Sequence, residues 1–252
     1  MIGMEFGIRT IKGKMRDKDE DSVLIITYNM IGADSGEQSS VICAIADGMG
    51  GLNGGEVASN IAISVVREMH SCLIEAKNEA AKDECLRDIS RVANSRILNF
   101  SRENGPVEMG TTLDVCFLER GILYASNIGD SRVYLFKKNG EIIHTKDHSY
   151  VQELVDSGAI GESEVNSHPQ RNILTRAVGL QSNVEADIYR WNVEKGDVIL
   201  LCCDGLWSSL DRDRIKHFIS RKKNAQEIVD ELVKEANESD GSDNISAVLV
   251  KL

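Results

Sequence analysis

Two phrases in the sequence place a carboxylate at the end of an apolar run. Residues 41–46 (VICAIA) lead into Asp47-Gly48, and residues 198–203 (VILLCC) lead into Asp204-Gly205. A short run rich in Val and Ile reads as a buried strand, and glycine after the acid frees the backbone to turn. Each strand thus delivers an acid to a sheet edge. Taken singly, Asp-Gly after a strand is turn chemistry. More acids stand at expected strand boundaries: Glu20 and Asp21 before residues 22–28, Asp130 within NIGDSR at 127–132, and Asp243 before the closing run 244–252. Ionised carboxylates brought together repel one another and lose hydration, at a cost of several kcal/mol unless cations compensate them. A convergent set therefore implies a metal, whereas a dispersed one is a series of independent turn and cap acids. The candidate ligands are all oxygens, and none of the five histidines falls in these phrases. Such a donor set suits Mg²⁺ or Mn²⁺ and disfavours Zn²⁺.

Other chemistries fit less well. The glycines at 48–55 invite a phosphate-loop reading, but GxxxxGK[ST] is absent, and GxGxxG begun at Gly48 meets Asn53 where glycine is required. No GxSxG marks a nucleophilic serine. His144, His148 and His168 read as surface or packed imidazoles rather than catalysts.

Positioning these acids falls to alternating strand and helix periods. Residues 4–10 and 22–28 alternate as strands, with the charged run 14–21 between them, so that Arg16, Glu20 and Asp21 sit at a strand mouth. Residues 29–40 are polar and read as a loop before the central strand. Residues 56–70 and 81–100 carry apolar side chains at helical spacing, the second through Leu86, Ile89, Ala93, Ile97 and Phe100, and 101–109 breaks it. From Gly110 the period becomes two, and 112–146 reads as one antiparallel meander with a hairpin at Asn139-Gly140. A short helix is expected over 149–157, strands over 184–191, 197–203 and 244–252, and helices over 211–220 and 224–237. The last opens on Asn224 with Glu227 three residues on, a capping box. Strands and helices do not alternate regularly, which argues for a mixed α+β architecture in one domain, 1–252, and against a doubly wound parallel sheet.

Composition sets the bounds. At 252 residues and 42% apolar, with two prolines, the chain can bury a full core. A net charge of -11 without a basic patch excludes nucleic acid as the expected partner. No run is long enough to span a membrane, and the first residues lack a signal peptide's apolar stretch. The six cysteines form no CxxC pair and read as reduced core thiols, which fits a cytoplasmic compartment.

Read in order, the same phrases carry a resemblance. Arg16 with Glu20-Asp21, ADGMGG at 46–51, GTT at 110–112, NIGDSR at 127–132, DHSYVQELVDSGAI at 147–160, HPQRNILTRAVG at 168–179, CDGLW at 203–207 and SDN at 242–244 resemble the motif series of the PPM family, the metal-dependent 2C-type serine/threonine protein phosphatases. The likeness spans about 9–250 and is nearest to compact microbial members that consist of the catalytic domain alone. It implies a central sandwich of two antiparallel β-sheets flanked by α-helices, with metals in a cleft at one end. It also implies hydrolysis of phosphoserine and phosphothreonine in proteins by a monomer opposing a Ser/Thr kinase. By the motif match, Asp47 bridges two Mg²⁺ or Mn²⁺ ions, the Gly48 carbonyl binds one of them, and Asp204 and Asp243 bind the other. Asp130 with Asp204 holds a weaker third ion, Glu20 and Asp21 act directly or through water, and Arg16 grips the substrate phosphate. A hydroxide bridging the metals attacks phosphorus directly, and 149–171 corresponds to a flap beside the cleft.

Two positions depart from the family pattern. Asp19 stands where many relatives have Asn, and Met49 stands where animal members place a histidine assigned as general acid, so the group that protonates the leaving oxygen is not identified by the motifs. The alternatives are a catalytically silent 2C-like signalling module and a phosphatase of small phosphoesters. Degenerate modules lose metal ligands, and here Asp47, Asp130, Asp204 and Asp243 are all present with Arg16.

Overall fold

The computed structural model describes residues 3–32, 36–51, 54–104 and 108–252. Positions 33–35, 52–53 and 105–107, which belong to the expected loop, the glycine stretch and the expected helix break, lie outside the described residues. The first alternating segment forms β1 (Glu5–Ile11). β2 (Asp21–Gly32) and β3 (Gly36–Gly50) pair antiparallel from Asp21 opposite Asp47 to Gly32 opposite Gly36. The loop expected over 29–40 is thus strand on both sides of 33–35. Polar residues suit an exposed ribbon, where Ser39 Oγ donates to its opposite number Asn29 Oδ1 at 2.9 Å.

Three helices follow, two long and one short. α1 (Gly54–Met69) buries Ala58, Ala62, Val65 and Val66, the short α2 (Ser71–Glu75) follows, and α3 (Glu79–Glu103) buries Leu86, Ile89, Ala93 and Ile97. Phe100, next in that period, lies partly exposed in the last turn. Cys72 on α2 and Cys85 on α3 are joined in a disulfide. This corrects the reduced reading for that pair, because the short non-helical connection between α2 and α3 brings together cysteines that CxxC spacing would not reveal. The other four cysteines are buried free thiols.

The meander also needs correction. β4 (Met109–Thr111), β5 (Leu113–Glu119) and β6 (Ile122–Ile128) stay with β3, whereas β7 (Arg132–Phe136) and β8 (Ile142–His144) belong to a second sheet. The chain changes sheets in the turn between β6 and β7, which holds Asp130. On either side of the crossing β6 and β7 are both almost wholly buried, so their residue pattern does not tell one sheet from the other and does not mark the crossing. The hairpin at Asn139-Gly140 is present, with Phe136 opposite Ile142.

α4 (Tyr150–Asp156), a 3-10 turn (Glu162–Ser167), β9 (Asp187–Asn192), β10 (Val198–Cys202), the four-residue α5 (Asp204–Trp207), α6 (Arg212–Ile219), α7 (Ala225–Ser239) and β11 (Ile245–Lys251) complete the order. The Asn224–Glu227 capping box opens α7. One sheet runs β1-β11-β10-β7-β8, and the other β2-β3-β5-β6-β9 with β4 beside β3. Alternation assigns the layers. Ile42, Ala44 and Ala46 of β3 pack toward α1 and α3, while Val41, Cys43 and Ile45 meet Ile199, Leu201, Val248 and Val250 of the opposite sheet. Leu200, Cys202, Ala247 and Leu249 pack toward α5, α6 and α7. The layers are therefore helix, sheet, sheet, helix, as a sandwich with apolar residues on both faces of each sheet requires.

Candidate metal centre

β3 ends on Asp47 in one sheet, and β10 of the other sheet runs into Asp204 at the first turn of α5. Both acids open on one cavity of about 310 Å³ at an end of the sandwich. Arg16 and Glu20 from the β1–β2 loop, Gly48, Asp130 from the crossing turn, and Asp243 just before β11 also line it. Asp21 does not reach the cavity. It is buried behind it, opposite Asp47 in the β2–β3 register. The structure therefore brings together every residue singled out in the sequence, seven on the wall and one beneath.

Backbone bonds fix Asp47 from the GTT segment. The Asp47 N–H donates to Thr112 Oγ1 at 2.9 Å, and its carbonyl accepts from the Thr112 N–H and Thr111 Oγ1, each at 2.9 Å. Thr112 Oγ1 also bonds Ser131 Oγ at 2.8 Å, which couples the central strand to the turn that carries Asp130. Gly48 has no room for a side chain: a Cβ there would lie 2.2 Å from the Gly55 carbonyl oxygen and 2.5 Å from that of Glu20. Gly129 adopts φ +108, outside the range of other residues, and its N–H donates to His148 Nδ1 at 3.1 Å. Trp207 Nε1 donates to the Asp130 carbonyl at 2.9 Å.

Asn244 closes the other side. Its Nδ2 donates to the Lys12 and Lys18 carbonyls at 3.1 and 2.8 Å, and its Oδ1 accepts from the Glu20 N–H at 2.9 Å, holding the Arg16 loop over the cavity. Arg16 Nη2 donates to Asp243 Oδ2 at 2.7 Å, a bond that raises the guanidinium pKa further. Asp19, one of the two departures, ties the loop locally. Its Oδ2 accepts from Thr10 Oγ1 at 2.6 Å and its Oδ1 from the Asp21 N–H at 3.2 Å.

The electrostatics are those of uncompensated acid. Among the described residues lining the cavity, five carboxylates face one cation, Arg16. Burial first, then the charges of Asp21, Asp204, Asp130 and Asp243, drive the Asp47 carboxyl well above its usual range. Burial and the neighbouring Asp243 charge push Asp204 up to about 6, burial pushes Asp21 up to about 7, and burial with Asp204 and Asp147 raises Asp130 strongly. Both carboxylate oxygens of Asp21 and Oδ1 of Asp204 are buried without a hydrogen-bond partner. Orphaned anionic oxygens among acids whose charge is suppressed fit hard divalent cations, which would supply the missing charge. Asp47, Cys203 and Asp204 present potential ligand atoms within 4.8 Å of one another. The Cys203 thiol is no part of that donor set. Burial raises its pKa far up, and it is occupied as donor to the Asn244 carbonyl and acceptor from the Ser246 N–H.

A family model described as protein phosphatase 2C matches residues 30–249. The chain belongs to that family of metal-dependent protein phosphatases. It is 30% identical over 249 residues to the serine/threonine phosphatase stp of Listeria welshimeri, covering 98% of this chain and 96% of that one. The Mycobacterium tuberculosis serine/threonine phosphatase PstP/Ppp, a crystal structure, superposes with TM-score 0.84 at 32% identity over 99% of this chain and 98% of that chain. The catalytic domain of a phosphatase PstP in complex with two manganese ions superposes with TM-score 0.82 at 29% identity, covering 98% and 97%. The 2C-type fold, two antiparallel sheets flanked by helices, is common to them.

The family motifs mark residues that sequence reasoning left without a role. Thr111 and Thr112 lie in the GTT phrase, which attracted no assignment, and Asn244 in SDN, where only the acid did, yet all three position the acid-bearing segments. Their signal was a short polar side chain beside a strand end, which also reads as an ordinary cap. His144, His148 and His168 are not among the residues lining the cavity.

Proposed function

We propose that this phosphatase hydrolyses phosphoserine and phosphothreonine in a protein substrate, opposing a Ser/Thr kinase. The observation that carries the reading is the meeting of Asp47 and Asp204, delivered by opposite sheets, under a loop that presents Arg16 to the same cavity. Asp47, the Gly48 carbonyl, Asp204 and Asp243 would hold two Mg²⁺ or Mn²⁺ ions, and Asp130 with Asp204 a weaker third. Asp21, behind Asp47, and Glu20 would act on them directly or through water. Bound there, the cations supply a water of lowered pKa for direct attack on phosphorus and positive charge for the phosphoryl oxygens. Arg16 binds the substrate phosphate, its planar fork matching two oxygens at once. Its hold on Asp243 keeps that fork over the cavity without filling all five of its donors. The segment 149–171 is the flap of this cleft.

The same reading makes residues 1–252 one catalytic domain and the protein a cytoplasmic monomer. No helix among the described residues is long and apolar enough to cross a membrane. The four buried free thiols suit a reducing compartment, and the Cys72–Cys85 disulfide is the feature that speaks against one.

The test is Mn²⁺ titration by calorimetry together with phosphopeptide hydrolysis. Wild type should bind the ion and turn over substrate only with it. Asp47→Asn and Asp204→Asn should lose binding and several orders of magnitude in kcat with an unchanged circular dichroism spectrum. Full activity in either variant, or in chelator, would overturn the assignment.

A further inference from the structure

Four large apolar side chains are exposed among the described residues: Met15 at 76%, Ile173 at 46%, Leu180 at 44% and Phe100 at 37%. Scattered singly, such residues need no explanation. Three of these are not scattered. Leu180 lines the Asp47–Asp204 cavity, Met15 precedes Arg16 on its wall, and Ile173 stands between two of its lining residues, Asn172 and Leu174. Phe100 alone lies elsewhere, in a groove between α1 and α3.

Met15 and Ile173 sit on pinned backbone, and Leu180 lies two residues beyond it. The Met15 N–H donates to the Gly241 carbonyl at 3.2 Å. The Ile173 carbonyl accepts from the Tyr150 N–H at 2.8 Å, and its N–H donates to the Gln170 carbonyl at 3.2 Å. Leu180 follows a two-way bridge between Val178 and Thr111, each bond 2.9 Å, and its side chain rests against Gly110, where a Cβ would stand 2.9 Å from Leu180 Cγ. Apolar groups displayed on fixed backbone lose little freedom when covered, so contact with them favours binding more than the same groups on loose loops would.

We propose that these three residues form a recognition rim, and that its occupant is the substrate segment flanking the phosphorylated residue, with apolar side chains two positions before or after it. The inference rests on the phosphatase reading above. Leu180 is on the wall that carries Arg16, and Met15 and Ile173 each adjoin a wall residue along the chain, so a peptide that places its phosphate at Arg16 passes beside all three. In an extended peptide, residues i and i±2 point the same way at about 6.6 Å spacing, which sets i±2 at the edge of a cavity of about 310 Å³. The three side chains bring no charge to the edge, so apolar partners complement them.

The experiment compares Mn²⁺-supplemented full-length protein on p-nitrophenyl phosphate and on two phosphoserine peptides, one with Leu and one with Ser at both i±2 positions. Wild type should favour the Leu peptide about ten-fold in kcat/KM, and Met15→Ser, Ile173→Ser and Leu180→Ser should each cut that ratio about three-fold, through KM. Met15→Ser and Ile173→Ser should leave p-nitrophenyl phosphate kinetics unchanged, and Phe100→Ser should leave the peptide ratio unchanged. A wild-type ratio near one, or ratios that ignore the rim substitutions, would overturn the rim while leaving the phosphatase reading intact. Inertness toward all three substrates would overturn both.

Discussion

Asp21 and Asp204 carry the sharpest residue-level consequence, because their carboxyls are pushed up to about 7 and about 6. An unfolded carboxyl titrates near 4, so between about pH 4 and 7 the folded state binds more protons than the unfolded one, and stability falls as pH rises through that window. Chelated protein should therefore melt at a lower temperature at pH 8 than at pH 5. Mn²⁺ should raise the melting temperature more at pH 8, where the acids it compensates are ionised. Asp47→Asn removes one buried acid from the same cluster. In chelator at pH 8 it should melt above wild type even as its activity is lost, and thermal scans with and without Mn²⁺ read both effects. Asp114 makes a separate case, buried in the sandwich with its carboxyl driven far up by burial. Its Oδ1 accepts from Asn127 Nδ2 at 2.7 Å, while its Oδ2 and the Asn127 Oδ1 both lack partners. A neutral Asp114 has an O–H to offer Asn127, so Asp114→Asn should preserve stability and activity. A large loss would mean that Asp114 works as an anion.

At the scale of elements, the coupling between the two sheets near the site passes through Thr112, whose hydroxyl accepts from the Asp47 N–H and bonds Ser131 Oγ. Thr112→Val keeps the shape and removes both bonds, leaving a buried N–H unpaired at about 1–3 kcal/mol. Denaturant unfolding should register that loss, and because the change lies at the base of Asp47, kcat should fall as well. Unchanged stability would mean the N–H finds water instead. The elements themselves were legible in the sequence wherever one pattern had one meaning. Apolar runs ending in Asp-Gly marked β3 and β10, and Asn224 with Glu227 marked the start of α7. The pattern failed where two structures share it: the period of two runs unbroken from β6 to β7 although the chain changes sheets at Gly129. Polarity misread the ends of β2 and β3 as loop, since a ladder satisfies the backbone whatever the side chains do. The acids were legible as candidates from their strand ends alone, but their convergence was not. It depends on sheet order, β10 beside β11 and β3 beside β2, which joins residues such as Arg16 and Asp243 that local pattern does not link.

Over the whole molecule, 40 acidic side chains against 29 basic ones leave a net charge of -11. The cavity concentrates that sign, with five carboxylates on its wall. A phosphopeptide is itself an anion, so the field opposes its approach wherever bound cations and Arg16 do not locally reverse it. The range of that field depends on salt, with a Debye length of about 30 Å at 0.01 M and about 8 Å at 0.15 M. At low salt the repulsion extends across a region wider than the cleft. At physiological salt only groups close to the phosphate matter. Raising NaCl over that interval should therefore increase kcat/KM for a phosphopeptide with Glu flanks by about three-fold, decrease it for one with Lys flanks, and change it least for one with apolar flanks. The shift should lie in KM, because screening alters encounter and ground-state binding rather than the groups that hold the phosphate. Steady-state kinetics at fixed Mn²⁺ over the salt series decide it. If all three peptides respond alike, salt is acting on the metal site or the fold, and the acidic surface has no part in choosing the substrate.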